Sequence, residues 1–331
     1  MAEQTSLGHW VRRFLLEYTA SERNLSPNTC ASYRDMLVLL LPFVAQRKRV
    51  GADKLSVIDL SADMVRDFLT HLERDRQCST ATRNQRLASI RALARFIGAH
   101  SPQHVEWCAQ VRLVPIKKGI AASITYLEKP EVDALLAAPD QSSSQGARDH
   151  ALLLLLYNSG ARVSEAASLR ICDVDWHSKS VRIIGKGNKE RRCPLWGETI
   201  KKLRALAADR PAEAQMFLNH RGEPLTRYGI HTLVERYAAR VAVTAPSLRG
   251  KRVSPHVMRH TTATHLLQAG VDINTIRAWL GHVSLDTTSL YAETDLATKK
   301  RALDTLDRGR SGKKSGGWSR QPDVIAFLRA L

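Results

Sequence analysis

The sequence predicts a mainly α-helical chain of two domains, with a small β-hairpin or sheet that makes the second domain α+β. A length of 331 residues is enough for two separate hydrophobic cores. Apolar residues recur at helical spacing along most of the chain, and the period changes to that of short strands between residues 174 and 196. A basic stretch without periodicity, residues 113–123, is predicted to be a linker between the two parts.

The linker sets the predicted domain boundaries. Residues 1–112 are expected to form a helical domain, and residues 124–306 a larger second domain. Residues 307–331 are expected to form a flexible basic tail, rich in Gly, Ser, Lys and Arg at its start, with one short helix near its end.

The first two helices are predicted from spacing and from start signals. A helix is expected over residues 6–20, where aromatic residues recur at i, i+4 and i+8: Trp10, Phe14 and Tyr18. Ser26 followed by Pro27 begins a second helix, because serine caps free amide groups and proline suits the first helical position. Pro42 is expected to interrupt or end that helix.

Two more helices complete the first domain. The third begins at Ser61 and places four apolar residues on one face: Val65, Phe68, Leu69 and Leu72. The fourth begins near Ser79 or Thr80, and its polar face carries four arginines: Arg83, Arg86, Arg91 and Arg95. Such a face is either solvated or turned toward nucleic acid, and the pattern leaves both readings open.

The second domain combines helices with one hairpin. Helices are expected after Pro130, through residues 152–156, after the turn at Gly160, and over residues 199–208 and 229–241. Arg162 therefore lies near a helix N-terminus. Two short strands, residues 180–184 and 191–195, flank a tight turn that carries Lys186 at its tip. The turn is not a nucleotide-binding loop, because the earlier glycine and the later Ser or Thr of that motif are missing.

A further helix start lies at Ser254 and Pro255. His256 and Arg259 are three residues apart on its first turns, where a helix N-terminus favours an anion such as phosphate. A single histidine near an arginine on a helix is usually either solvated or satisfied within the core, without a binding role. His256 and His260 also have the spacing of zinc ligands, but no nearby cysteine or carboxylate completes such a site.

The net charge and the cysteine content limit the partners and compartments that fit this chain. The formal net charge is +18 and the pI is about 10.1, and both the first 120 residues and the rest are basic. This excess indicates a polyanionic partner. Five scattered cysteines without a C-x-x-C pair favour a reducing compartment. The longest apolar run, residues 151–157, is too short to span a bilayer, so a cytoplasmic protein is expected.

Four motifs stand in the order and at the spacings of one enzyme family. They are residues 160–165 (GARVSE), 185–191 (GKGNKER), 256–260 (HVMRH) and 280–282 (LGH) with Tyr291. The chain resembles the tyrosine recombinases of the phage integrase superfamily, in particular Xer-type recombinases and transposon-borne integrases. The resemblance covers residues 6–306, and the tail beyond is longer than a minimal Xer-type ending.

The resemblance implies a SAM-like core-binding domain followed by a catalytic domain. It also implies an active-site set of six residues: Arg162, Lys186, His256, Arg259, His282 and Tyr291. Tyr291 would be the nucleophile that forms a 3′-phosphotyrosine intermediate, and the two arginines would clamp the phosphate. Lys186 would protonate the leaving 5′ oxygen, and the histidines would supply hydrogen bonds and proton handling.

The implied partner is double-stranded DNA. Four recombinase protomers would assemble on it, as a homotetramer or a heterotetramer. A covalent tyrosine relay conserves the energy of the broken strand, so neither ATP nor a metal or other cofactor is implied. Free tyrosine has a pKa of about 10, so ionising it at pH 7 requires about 4 kcal/mol. Fixed arginine forks suit the negative transition state, because guanidinium binds phosphate in a bidentate manner.

Two other functions remain open from the sequence. The chain could bind DNA without catalysis, as an accessory paralogue, although no catalytic position is substituted. It could also relax DNA in the manner of a type IB topoisomerase, which shares the tyrosine nucleophile. The spelling of the motifs and the helical N-terminal domain favour the recombinase.

Overall fold

The computed structural model describes residues 6–119, 124–185 and 187–281, and the chain divides into two compact units, residues 1–121 and 122–331. The helices of the first unit are α1 Leu7–Arg13, α2 Pro27–Lys48, α3 Ala62–Arg74, α4 Thr80–His100 and α5 Val105–Leu113. Those of the second are α6 Lys129–Ala137, α7 Ser144–Ser159, α8 Val163–Ala167, α9 Gly197–Ala207, α10 Arg227–Thr244, α11 Pro255–Gln268 and α12 Ile273–Leu280. The predicted fold class, mainly helical with a small sheet, is confirmed.

Serine caps begin the helices of the first unit where the sequence predicts them. The hydroxyls of Ser26, Ser61 and Ser79 each accept a hydrogen bond from the backbone N–H three residues later. The predicted apolar face of α3 is buried in a core that also receives the apolar faces of α2, α4 and α5. Local capping and apolar spacing therefore suffice to define this unit's elements.

The prediction for Pro42 is wrong, because α2 continues through it to Lys48. A proline inside a helix removes one hydrogen bond and costs about 3 kcal/mol. Leu40, Phe43 and Val44, which flank the proline, are buried in the core of the unit. Burying them stabilises the helix by more than the proline costs, at about 1.5–3 kcal/mol for each large apolar side chain.

The start of the chain is less regular than predicted. The helix expected over residues 6–20 is divided into α1 and a π-helical segment, Phe14–Glu22. Phe14 is fully buried and stacks against Tyr18, with ring centroids 5.7 Å apart. Phe14 and Tyr18 thus lie together in a wider helical turn than the one predicted.

The arginines of α4 do not form a simple solvated or DNA-facing stripe. Arg83 is buried, and its Nη1 donates to the carbonyl of Pro115 at 2.9 Å. Arg91 donates to the carbonyl of Val114, and Arg86 to that of Ser32 at 3.2 Å. Three of the four guanidinium groups therefore join α4 to other parts of its own unit, and both sequence readings are wrong for Arg83.

The sheet of the second unit is antiparallel, with strand order β1 Val174–Asp175, β2 Ser180–Ile184 and β3 Glu190–Pro194. Val181 pairs with Cys193, and all three residues Val181, Ile183 and Cys193 are buried. One face of the predicted hairpin therefore packs on the helices. Gly187 and Asn188 have φ angles of 75° and 58°, which the tight turn requires.

Within the described ranges, no helix is both long and apolar enough to cross a membrane. Across the same ranges no group of three or more His, Cys, Asp or Glu side chains is arranged to hold a metal ion.

The contribution of the buried Arg83 to stability can be tested by substitution. Replacing it in Arg83→Met leaves the Pro115 carbonyl without this donor, so the free energy of unfolding should fall by about 1–3 kcal/mol. Arg95→Met, at an exposed position of the same helix, should change it by no more than about 0.5 kcal/mol. Urea denaturation of the full chain measures both values. Equal stability of the two variants would contradict the role given to Arg83.

Candidate active site

Arg162 lies where α7 turns into α8, as the sequence predicts. Gly160 has φ +59° and ends α7, and Arg162 is the N-cap of α8. A Cβ atom at position 160 would lie 2.4 Å from Cδ2 of Leu280. Glycine is therefore needed both for the backbone conformation and for the close approach of α12.

Helix α11 begins at the predicted cap, since the Ser254 hydroxyl accepts from the backbone N–H of Val257. The helix packs against α7, and the Thr262 hydroxyl donates to the carbonyl of Tyr157 at 2.7 Å. His256 is exposed on its first turn, whereas Arg259 is only 2% exposed. The two residues predicted on the first turns of this helix are thus divided between the surface and the interior.

The buried guanidinium of Arg259 joins two helix ends. Its Nη1 donates to the carbonyl of Gly160 at 2.6 Å, and its Nη2 to that of Leu280 at 2.5 Å. A charged donor that binds two buried carbonyls satisfies groups that helix ends leave without partners. Arg259 therefore fixes the end of α7 against the end of α12.

Three arginines converge on the C-terminus of α12, which we call the arginine-capped terminus. Arg191 Nε donates to the carbonyl of Trp279 at 2.8 Å, and Arg259 binds the next carbonyl, that of Leu280. Arg162 Nη2 donates to the carbonyl of Gly281 at 3.3 Å. A helix C-terminus carries negative partial charge, so cations at this position are favourable.

Glu165 connects two of these arginines. Its Oε1 accepts from Arg162 Nη1 at 2.8 Å and from Arg191 Nη1 at 3.1 Å. Its Oε2 accepts from Arg191 Nη2 at 2.7 Å and from the backbone N–H of Arg162 at 2.8 Å. The carboxylate is 4% exposed and the Arg191 side chain 8%, whereas the Arg162 side chain is 35% exposed.

The pKa values follow from this arrangement. Burial acts to raise the pKa of Glu165, but its bonds to Arg191 and Arg162 outweigh burial and hold the pKa below its ordinary value. Burial acts to lower the pKa of Arg191, and the Glu165 carboxylate reverses the direction, so the pKa is raised. Both groups are charged at neutral pH.

The rings of His256 and His260 on α11 make an edge-to-face contact, with ring centroids 4.3 Å apart and planes at 69°. Desolvation lowers the pKa of His256, and the positive charges of Arg259 and Arg162 lower it further. Desolvation, His256 and Arg259 together lower the pKa of His260 to about 4. Both rings are therefore neutral at pH 7 and can donate as well as accept a hydrogen bond.

Of the six predicted site residues, the structure brings Arg162, His256 and Arg259 together. Lys186, His282 and Tyr291 lie outside the described residues. Their predicted roles stay predictions.

Glu165 and Arg191 belong to the arrangement but were not among the predicted site residues. Two signals could have found them. Glu165 is the third residue after the N-cap Arg162, where a capping box places a glutamate. Arg191 pairs with the buried Ile183 and shares the inward face of β3 with Cys193. A charged residue on a buried strand face needs a buried partner.

Comparison with known proteins bears on both units. Residues 12–99 match the family model of the phage integrase N-terminal SAM-like domain, and residues 125–297 match that of the phage integrase family. A Sinorhizobium fredii protein named as an integrase/recombinase, y4rC, is 37% identical over 100% of both chains. The tyrosine recombinase XerC of Myxococcus xanthus is 34% identical over 91% of this chain and 98% of its own.

Solved structures show the same fold. The Tn1549 transposon integrase, in complex with a circular intermediate DNA, has a TM-score of 0.69 at 16% identity, over 89% of this chain and 99% of its own. The XerH site-specific recombinase, in a pre-cleavage complex with its difH substrate, has a TM-score of 0.65 at 23% identity, over 84% and 80%.

The lowered pKa of His260 predicts a loss of stability on acidification. Below about pH 6.5 the unfolded chain binds a proton at this histidine that the folded chain excludes until about pH 4. Its contribution is therefore complete above pH 6.5 and is lost as the pH falls through this window. Glu165, whose pKa is lowered from 4.5, loses its contribution only at lower pH.

Urea denaturation between pH 7.5 and pH 5 measures this effect. The free energy of unfolding should fall less steeply in His260→Gln than in the natural chain, because the variant lacks the proton site. Equal slopes in the two proteins would show that His260 does not carry the effect.

Proposed function

Since the chain belongs to the phage integrase family, whose members are tyrosine recombinases, we propose that it is a site-specific DNA recombinase that cleaves and rejoins strands through a 3′-phosphotyrosine at Tyr291. The observation that carries the proposal is the arginine-capped terminus. It brings Arg162 and Arg259 to the helix end that leads directly into His282, and the charges of both arginines act on the neutral His256. This concentrates positive charge and neutral hydrogen-bonding groups where a scissile phosphate would bind.

The two arginines of the clamp would contribute differently. The half-buried Arg162 presents a guanidinium edge that can turn toward solvent, and its bond to the Gly281 carbonyl is long at 3.3 Å. A phosphate oxygen can replace that carbonyl, because hydrogen bonds to a charged acceptor are stronger. Arg259 is buried, so its fixed charge would act mainly from beneath the phosphate.

The remaining residues would complete the chemistry. His256, neutral at pH 7, would hydrogen-bond a non-bridging oxygen, and His282 would do the same from the other side. Lys186 would protonate the leaving 5′ oxygen while Tyr291 attacks phosphorus. Attack forms one P–O bond and breaks another, and the reverse step with a second strand's hydroxyl restores the DNA backbone without external energy.

The partner would be double-stranded DNA. Both basic units, which the linker at residues 113–123 joins, would bind its phosphate backbone. We propose assembly of four protomers on the paired sites, in the cytoplasm, with the tail at residues 307–331 contacting a neighbouring protomer. Integration, excision and transposition use the same strand chemistry, and the relatives named as integrases favour a mobile-element role.

The covalent intermediate provides the direct test. The purified full chain is incubated with a library of nicked random duplexes, and the DNA that stays on the protein after denaturation is sequenced. We expect a defined sequence to be enriched and joined to Tyr291, because the nick lets the freed strand diffuse away. Tyr291→Phe should bind the same duplexes and form no adduct.

Other outcomes would favour the alternatives. Specific binding without an adduct would favour an accessory DNA-binding protein. Relaxation of supercoiled plasmids that lack the enriched sequence would favour a type IB topoisomerase. An adduct that persists in Tyr291→Phe would place the nucleophile elsewhere.

Arginine-to-lysine changes test the phosphate clamp. Arg162→Lys and Arg259→Lys keep the charge but lose the planar pair of donors, so each should slow adduct formation by about 10²–10³-fold, or about 3–4 kcal/mol. The single-turnover rate on the mapped duplex measures the loss. Arg192→Lys, at an exposed position of β3, is the matched control. A similar loss in the control would remove the specificity of the clamp.

A further inference from the structure

Arg191 is a nearly buried cation of the cluster, and no predicted role uses it. Its three hydrogen bonds run to the Trp279 carbonyl and to both oxygens of Glu165. The side chain is 8% exposed and enters from the inward face of β3. Its guanidinium therefore faces the interior side of the same carboxylate that Arg162 binds from the outer side.

The positive charge of Arg191 changes how strongly Glu165 neutralises Arg162. Glu165 and Arg162 alone would form a neutral pair, and a buried carboxylate with one partner would draw that guanidinium into a bidentate bond. With Arg191 present, the carboxylate is shared and the three groups carry a net charge of +1. The positive charge remains on the more exposed member, Arg162.

We propose that Arg191 is a positioning residue for recombination, which compensates the charge of Glu165 and binds the end of α12 so that Arg162 stays available to phosphate. The inference rests on the proposed function. Arg191 does not contact DNA in this scheme. It acts through Glu165 and through the Trp279 carbonyl.

Two glycines show how tightly the ion pair is enclosed. A Cβ at Gly281 would lie 3.1 Å from Nη1 of Arg191, and one at Gly185 would lie 3.2 Å from Oε1 of Glu165. These glycines directly precede His282 and Lys186 in the sequence. The Glu165–Arg191 pair thus lies against the two backbone positions from which the chain continues into predicted catalytic residues.

A purely structural role makes a different prediction from a charge-compensating one. Buried ion pairs often contribute little to stability compared with apolar residues of similar volume. If Arg191 served only the fold, adding Glu165→Gln would restore the rate only as far as it restores the free energy of unfolding, by removing a buried carboxylate that has lost one of its two cations. If it compensates charge, removing Glu165 should relieve the neutralisation of Arg162.

The test compares Arg191→Met, Glu165→Gln and the double variant with the natural chain, on the nicked duplex mapped for the proposed function. Arg191→Met should slow single-turnover adduct formation by about 10–100-fold, with the Kd for duplex DNA changed by less than about threefold. Adding Glu165→Gln should restore about tenfold of that loss, because the competing carboxylate is gone. A double variant as slow as Arg191→Met, or slower, overturns the proposal.

A second substrate separates charge from general disorder of the site. A methylphosphonate at the scissile position removes one negative charge, so binding it requires less positive charge from Arg162. The defect of Arg191→Met should shrink to less than about threefold on this substrate, whereas a distorted site would be slow on both. Equal defects on the two substrates would also overturn the proposal.

Two controls keep the outcomes distinct. Circular dichroism and urea denaturation establish that each variant is folded. If Arg191→Met is unfolded, the rate of the double variant is compared with that of Glu165→Gln instead. The double variant is suitable because it leaves no buried charge without a partner. Absence of any Tyr291 adduct in the natural chain would refute the proposed function itself. Normal cleavage by Arg191→Met would refute only the positioning role.

Discussion

The arrangement of the second unit depends on how the C-terminus of α12 is satisfied. The carbonyls of Trp279, Leu280 and Gly281 have no partners within their own helix, and each accepts a hydrogen bond from a different arginine. These arginines come from β3, from α11 and from the start of α8. One helix end therefore gathers three distant parts of the chain, and the negative end of its dipole favours the cations that do so.

Burial divides the cluster into a fixed base and an accessible edge. Arg259 and Arg191 are almost fully buried, and each is bound by carbonyl or carboxylate oxygens. Arg162 remains the more exposed cation, and one of its N–H groups is already oriented by Glu165. Groups held in place before the substrate arrives need no reorganisation when negative charge develops, which is the condition for strong electrostatic stabilisation.

The sequence predicted those features that depend on a few neighbouring residues. The Ser254 cap and the turn at Gly160 each follow from residues within one helical turn, and the structure confirms them. The partners of Arg191, in contrast, lie 26 and 88 positions away, at Glu165 and Trp279. No local pattern specifies such contacts, because they arise only when β3, α8 and α12 pack together.

Errors of prediction had the same origin. Proline has a strong local preference against helix interiors, but the tertiary core around Pro42 overrides it. A row of arginines on a helix looks like a surface for solvent or DNA until the carbonyls that receive Arg83, Arg86 and Arg91 are known. Charge patterns indicate the class of partner from sequence, whereas the division of arginines between structure and binding requires coordinates.

In the second unit, the division of arginines between structure and binding depends on competition between hydrogen-bond acceptors. A carbonyl offers a partial charge and a phosphate a full one. In the proposed function, a phosphate of DNA would therefore replace the long bond from Arg162 to Gly281, and the bond to Glu165 would hold the guanidinium in place.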